Sequence, residues 1–357
     1  MGSLPALGLI TAAAFAGGYA FSLLGIPAPW LAGSMVATVA IVLLGRTADV
    51  PRIVRDAVFL VLGLQTGAAI NWNIFGELGQ WPASLVVLFV TVIAVSWSGM
   101  AFFRRFHGWD APSAFYGSIP GALSLILALA EESGAHMARV TIVQSIRLIC
   151  LVAALPILIT FLAPGNLVVP HQIAVGSVAD TALAFVVGAA VGYLFEYLKV
   201  PAGLLLGPAI ANAALHLSGT ATGALPAWLL VPSYVLLGVM IGVRFNVTSR
   251  AEVNDAAVAA MTSFPLALAV AFAGAVAAHL AAGVPLTAAL VAFAPGGLDA
   301  MIVLAFALGL DPAYVGAHQL ARYLGISFGV PVVAGLLGLA PEQQAARSPR
   351  GGNLPDA

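Results

Sequence analysis

Two arginines stand where a chain rarely tolerates them. Arg147 lies in VQSIRLICLVAAL, inside an apolar run from Val140 to Leu162, and Arg322 lies in the matching run near the C-terminus. Each is about nine or ten residues inside its segment, roughly 14 Å along a helix axis at 1.5 Å per residue, and so near the centre of a bilayer. An arginine there costs at least about 2.5 kcal/mol on insertion scales and marks a functional site by default. Gln144 and Gln319 precede the arginines by three residues and share their helix face. Two Q-x-x-R pairs would offer guanidinium forks and amides to an anion such as a carboxylate. The competing reading is internal: each guanidinium satisfies carbonyls freed where a neighbouring helix breaks.

Such breaks are written nearby. GSIPGALS (117–124) and AFAPGGLDA (292–300) put Pro-Gly into the middle of apolar stretches, where a helix must interrupt. Pro120, Gly121, Pro295, Gly296 and Gly297 would expose backbone groups, and Ser124 and Asp299 fall in the first turn of the half-helices that follow. Helix N-termini attract anions, so both breaks are candidate substrate-binding elements. Asp299 is the carboxylate of the second break and has Ser124 as its counterpart in the first. It is either a carrier of a coupling H+ or Na+ or a helix cap.

The elements that must hold these residues are membrane helices. Of 357 residues 61% are hydrophobic and 8% charged, far below the roughly one in four charged in soluble domains, and apolar runs of spanning length recur from end to end. No Lys or Arg precedes the first apolar stretch, so MGSLPALGLITAAAFAGG reads as a first helix and not as a secretory signal. Cys150 is the sole cysteine, which excludes an intrachain disulfide or a cysteine metal cluster. No histidine pair has metal-ligand spacing, and no phosphate loop points to ATP hydrolysis. Thirteen Lys plus Arg, scattered without a basic patch, exclude a nucleic-acid partner. His318, four residues before Arg322, is read either as lining the same cavity or as an interfacial histidine.

The chain is duplicated. A shift of 174 to 175 residues carries Gly18-Tyr19 onto Gly192-Tyr193, Pro27-Ala28 onto Pro201-Ala202, Gly63 and Gly67 onto Gly238 and Gly242, Asn71 onto Asn246, and Pro120-Gly121 onto Pro295-Gly296. It also carries Gln144 onto Gln319 and Arg147 onto Arg322. Two membrane repeats are therefore expected, 1–170 and 171–340, followed by a disordered cytoplasmic tail, 341–357. The paired G-x-x-x-G stretches are expected to be close-packing faces, and the two asparagines helix caps.

Loop charge sets the orientation. Outside the two buried arginines, eleven of the thirteen Lys and Arg remain. If all twelve apolar segments crossed, these would divide seven to four between the two sides; if the fifth segment of each half enters and returns, all eleven fall on one face. The positive-inside rule prefers the second arrangement. The expected fold is all-α and polytopic: two inverted repeats of about five transmembrane helices plus one broken, re-entrant segment each, in the bacterial cytoplasmic (inner) membrane with both termini cytoplasmic.

The break followed by Q-x-x-R, in PGALSLILALAEESGAHMARVTIVQSIR and PGGLDAMIVLAFALGLDPAYVGAHQLAR, resembles the bacterial AbrB family of membrane proteins across about residues 7 to 340. The first copy has PGA where the fuller pattern has PGG. The resemblance implies a tandem duplication, and functional labels that range from ammonia monooxygenase to regulation of gene expression. No metal or flavin ligand set in the residues supports an oxidoreductase. By analogy of plan alone, the layout is similar to ion-coupled carboxylate symporters of the elevator type. The function expected from the residues is a secondary transporter of a small anionic metabolite and not an enzyme. It would use no cofactor beyond H+ or Na+ as coupling ion. Its partners would be the lipid bilayer and a small-molecule anion, with a homodimer as an open option.

Overall fold

In the computed structural model, residues 4–339 are described apart from 71, 73–75, 77, 78, 80, 122, 163–174 and 246–249, and side chains are described except at 4, 123, 124, 245 and 250–253. Asn71, Asn246 and the tail 341–357 lie outside the described residues.

The described chain is helical: α1 (Leu4–Leu23), α2 (Pro29–Leu43), α3 (Arg52–Ala68), α4 (Trp81–Phe106), α5 (Ala111–Ser118), α6 (Leu123–Glu132) and α7 (Met137–Leu162), then α8 (Val178–Tyr197), α9 (Gly203–Leu217), α10 (Ala227–Gly242), α11 (Arg250–Ala282), α12 (Leu286–Phe293), α13 (Leu298–Ala307) and α14 (Pro312–Leu336). Six of them are long and apolar enough to cross a membrane: α1, α4, α7, α8, α11 and α14. This is a multi-pass membrane protein. Its outward residues are accordingly apolar, with Val186, Tyr197, Phe328 and Leu336 all exposed.

The order of long, short and broken helices repeats, and so does unusual backbone. Ala28 and Ala202 both enter their helices with left-handed φ values of 50° and 53°. Gly25 at 66° is matched by Lys199 at 57°, Gly108 by Gly283, and Gly134 by Gly309. A left-handed residue with a Cβ costs roughly 1–2 kcal/mol, so its recurrence at the same turn indicates that the turn geometry is needed in both halves.

The halves interlock through their glycine faces. α3 packs on α9, and α10 packs on α2. A Cβ at Gly63 would run into the carbonyl oxygen of Leu205, and one at Gly67 into that of Ala209. In the reciprocal contact a Cβ at Gly238 would collide with Ser34 Oγ, and one at Gly242 would lie 2.7 Å from the Thr38 Cβ. Small residues here let backbones approach to van der Waals distance where lipid supplies no hydrophobic drive. The equivalent helices α4 and α11 meet directly, completing a reciprocal arrangement.

The fifth segment of each half is a broken hairpin. In the second half, Val284, Pro285, Thr287 and Ala288 at its start line the same cavity as Gly309, Leu310 and Asp311 at its end. In the first, the Ser113 hydroxyl accepts from the His136 backbone N–H at 2.7 Å, and the Tyr116 and Ser133 hydroxyls are 2.7 Å apart. In each segment the residues at the start lie beside those at the end.

Candidate functional site

The breaks are built alike. In each, a tight two-residue turn follows the first half-helix: the Gly121 N–H donates to Ile119 O at 3.0 Å, and the Gly296 N–H to Ala294 O at 2.7 Å. Proline cannot continue the ladder, so the last carbonyls of α5 and α12 lose their helical partners. The Q-x-x-R pairs of the neighbouring long helices supply replacements. Gln144 Nε2 donates to Tyr116 O at 3.0 Å and Ile119 O at 2.9 Å, and Arg147 donates to Ile119 O at 3.0 Å and Ser118 O at 3.4 Å. Gln319 Nε2 donates to Val291 O and Ala292 O, each at 3.2 Å, while Arg322 donates to Ala294 O at 2.6 Å and to Gly296 O. Each arginine also holds the side-chain oxygen of its own glutamine. A cation at the C-terminal end of a half-helix also meets the negative end of its dipole.

The opposite poles face the other way. α6 and α13, ten residues each, start immediately after the breaks, and no side chain caps the first turn of α13, whose N-cap is Gly297. The positive end of that helix is left open to a ligand.

Both breaks meet at one small cavity of about 30 Å3, lined by Gly121 from the first and by Pro295, Gly296 and Gly297 from the second, together with Gln144, Ser145, Arg147 and Arg244. Its volume is about that of one water in the liquid. Two polar atoms here have no partner although their residues are buried: Arg147 Nε, on a side chain 7% exposed, and Ser145 Oγ, on one 5% exposed. Leaving a donor of a charged group unpaired costs more than the roughly 1–3 kcal/mol of a neutral one.

The two repeats part company at this point. Arg147 lines the cavity between the breaks, whereas Arg322 and Gln319 do not. Arg322 instead lines an apolar groove with Phe89, Ile93 and Trp97 of α4 and Gly325 of α14, and Arg147 in addition lines a pocket with Val95, Gly99 and Phe103. The guanidiniums are still close enough for the charge of Arg147 to bear on Arg322. Pro120 is buried at the first break without lining the cavity, and the side chain of Ser124 lies outside the described residues. Asp299 occupies the second position of α13 and is not its cap; the cations whose field reaches it are Arg244 and Arg55, both exposed. His318 is wholly buried. Ser145 and Arg244 are site residues that the sequence reading did not single out. A serine beside Gln144 in an apolar helix carries no distinguishing pattern, and Arg244 was legible only as a loop charge. Among the described residues no group of three or more His, Cys, Asp or Glu is placed to hold a metal ion.

Comparison with known proteins places this architecture. Residues 30–338 match the family described as "Transition state regulatory protein AbrB". The chain is 28% identical over 336 residues to the Escherichia coli (strain K12) protein named "Putative regulator AbrB", covering 90% of this chain and 93% of that one. It is 29% identical over 153 residues to "Uncharacterized protein YhjN" of Bacillus subtilis (strain 168), and this second match spans 40% of each chain. With the family match covering most of its length, the chain belongs to the AbrB family of membrane proteins.

Proposed function

We propose that this protein is a secondary transporter of a small anionic metabolite, coupled to H+ or Na+, in the bacterial cytoplasmic membrane. One observation carries the reading: two broken helices meet at a buried cavity where Arg147 Nε and Ser145 Oγ lack partners. The carboxylate or similar group of the substrate binds there, against Gln144, Arg147 and the backbone of Gly121 and Pro295–Gly297. The open N-terminus of α13 adds its partial positive charge. Arg322 and Gln319 hold the second break in shape so that this end is presented. Arg244, exposed and also lining the cavity, leads the anion in, and Asp299 beside it is the coupling carboxylate.

In this reading the two halves are inverted repeats with ten crossings, six by the long helices and four by α2, α3, α9 and α10, which have 15 to 17 residues. At 1.5 Å per residue those four measure about 22–26 Å, somewhat less than the ~30 Å hydrocarbon layer, so they cross where the layer thins or the polar ends are buried. The hairpins of α5–α6 and α12–α13 re-enter from opposite faces, with the cavity at their tips. All eleven Lys and Arg outside the cores then face the cytoplasm, as do both termini.

The word "regulator" in the E. coli relative's name fits a second route to the same phenotype: transport of a metabolite that a separate regulator senses alters gene expression without a nucleic-acid contact by this chain. Uptake by proteoliposomes, driven by a pH or Na+ gradient and measured for wild type and Arg147→Gln, tests the proposal. Gradient-driven accumulation of an anion that is lost in the folded variant is expected, and equal uptake by both would remove the site.

A further inference from the structure

A second polar constellation lies on the far side of the Arg322 clamp. His318 is fully buried between α4, α12 and α14. Its Nδ1 is 2.8 Å from Tyr314 O, a carbonyl that can only accept, so Nδ1 carries a proton. Its Nε2 is 2.7 Å from Ser84 Oγ, and the same hydroxyl is 3.0 Å from Trp81 O. A serine has one proton to give. With neutral imidazole, Ser84 donates to Nε2. With imidazolium, Nε2 donates to Ser84 Oγ, and Ser84 turns its proton to Trp81 O. Rotation of one hydroxyl thus satisfies the ring in either protonation state, and a structural histidine needs no such provision.

The imidazole is packed among rings and borders a cavity. The rings of Tyr314, Phe293 and Trp81 surround it with centroids 4.0, 6.2 and 6.3 Å away, and that of Tyr314 is near enough to interact with a cation. Trp81 and Tyr314 also line a cavity of about 180 Å3 with Asp311 and Thr287 at the start of α14 and α12. Trp81 Nε1 and the Tyr314 hydroxyl are buried there without a hydrogen-bond partner of good geometry. Tyr314 lines that cavity and its ring centroid lies 4.0 Å from that of His318, so the cavity adjoins the Ser84–His318 pair. The charged and titratable groups that bear on His318 are Asp311 and Tyr314 before it on α14 and Arg322 one turn after it. α12 contributes no titratable side chain, the single one on α13, Asp299, sits at the break end, and those of α4, Arg104 and Arg105, stand in its last turn at the far end from Ser84.

From this geometry we infer that His318 is a proton-binding site, filled from the Asp311–Tyr314 cavity, whose charge is sensed at the broken-helix anion site through Arg322. One proton from water is bound at Nε2 and no other bond changes. The coupling rests on the transport reading: cations at His318 and Arg322, about 6 Å apart along the helix, repel, and an anion at the breaks relieves that repulsion. Proton and anion then favour each other reciprocally, which is the electrostatic condition for symport.

NMR of purified 15N-histidine-labelled protein tests both parts, with the His318 signal identified by its loss in His318→Gln. In a pH titration extended downward as far as the protein stays folded, the signal is expected to pass from imidazolium at the acid end to the neutral Nδ1–H form. Ser84→Ala, which removes the relay hydroxyl, is expected to move the midpoint, and it serves as the readout if His318→Gln does not fold. Saturating acetate is expected to shift the wild-type midpoint to higher pH. A His318 that stays in one protonation state across the range, or a midpoint unmoved in Ser84→Ala, overturns the proton site. A titrating His318 indifferent to acetate that binds elsewhere in the same sample overturns the coupling alone. Titration with no acetate binding at all leaves the proton site standing and counts against the anion reading.

Discussion

Arg147 and Arg322 occupy equivalent positions in the repeats, yet their surroundings predict different consequences when each is replaced by glutamine. Arg322 gives hydrogen bonds to Ala294 O, Gly296 O and Gln319 Oε1. Removing it strands buried carbonyls at the second break. Charge-assisted hydrogen bonds contribute about 1.5–3 kcal/mol each, and breaking a buried charged network by deleting one partner typically costs about 3–5 kcal/mol. Arg147 makes one good bond to Ile119 O at 3.0 Å, a marginal one to Ser118 O at 3.4 Å and one to Gln144, and its Nε is unpartnered. Its loss also relieves an unsatisfied donor, so about 1–2 kcal/mol is expected. The asymmetry is readable in detergent as the thermal unfolding of each variant against wild type, with Arg322→Gln falling clearly further than Arg147→Gln. Equal losses, or a larger loss at Arg147, would refute the assignment of one arginine to architecture and the other to the ligand.

Other perturbations follow from the packing. Gly67→Val puts a branched side chain onto Ala209 O and 2.9 Å from Ala213 N, and overpacking of about 1–3 kcal/mol or more should show as a lower folded yield in size-exclusion chromatography. Lys199→Gly removes the Cβ from a residue at φ 57° whose counterpart is already Gly25, so a gain of up to about 1 kcal/mol in thermal stability is expected. Burial raises the Asp311 carboxyl above the ordinary carboxylate range by more than the N–H bond from Ala313 lowers it. The folded state therefore holds that proton more tightly than the unfolded chain. This contribution is complete below the unfolded value of about 3.9 and is lost as pH rises through the folded one. Asp311→Asn, which keeps a helix-capping oxygen, should flatten that part of the stability–pH curve.

Much of the fold was legible because its determinants are local. The Pro-Gly dipeptides at 120–121 and 295–296 interrupt their segments where a helix must break, and α5 and α12 do end at Ser118 and Phe293. The G-x-x-x-G faces were legible as packing surfaces because a missing Cβ has one common use in a membrane helix. Which helix they meet was not, since Leu205 and Ala209 lie some 140 residues further along the chain. Helical spacing put Gln144 and Arg147 on one face but could not say what that face meets, and most of their bonds go to carbonyls 25 to 29 residues away. Symmetry in the sequence also hid asymmetry in the site. Both Q-x-x-R motifs read alike, and only the three-dimensional arrangement sets Arg147, and not Arg322, on the cavity between the breaks. That His318 meets Ser84 was not legible, because the two lie 234 positions apart.

The central claim, that the meeting point of the two breaks binds an anion through Arg147, is tested most directly by thermal-shift titration of purified wild type and Arg147→Gln with small carboxylates and inorganic anions. A ligand at 100 times its Kd adds about 2.7 kcal/mol of stability. The account predicts that increment in wild type for at least one anion and its absence in folded Arg147→Gln. Stabilisation that survives the substitution, or none by any anion in wild type, would contradict it.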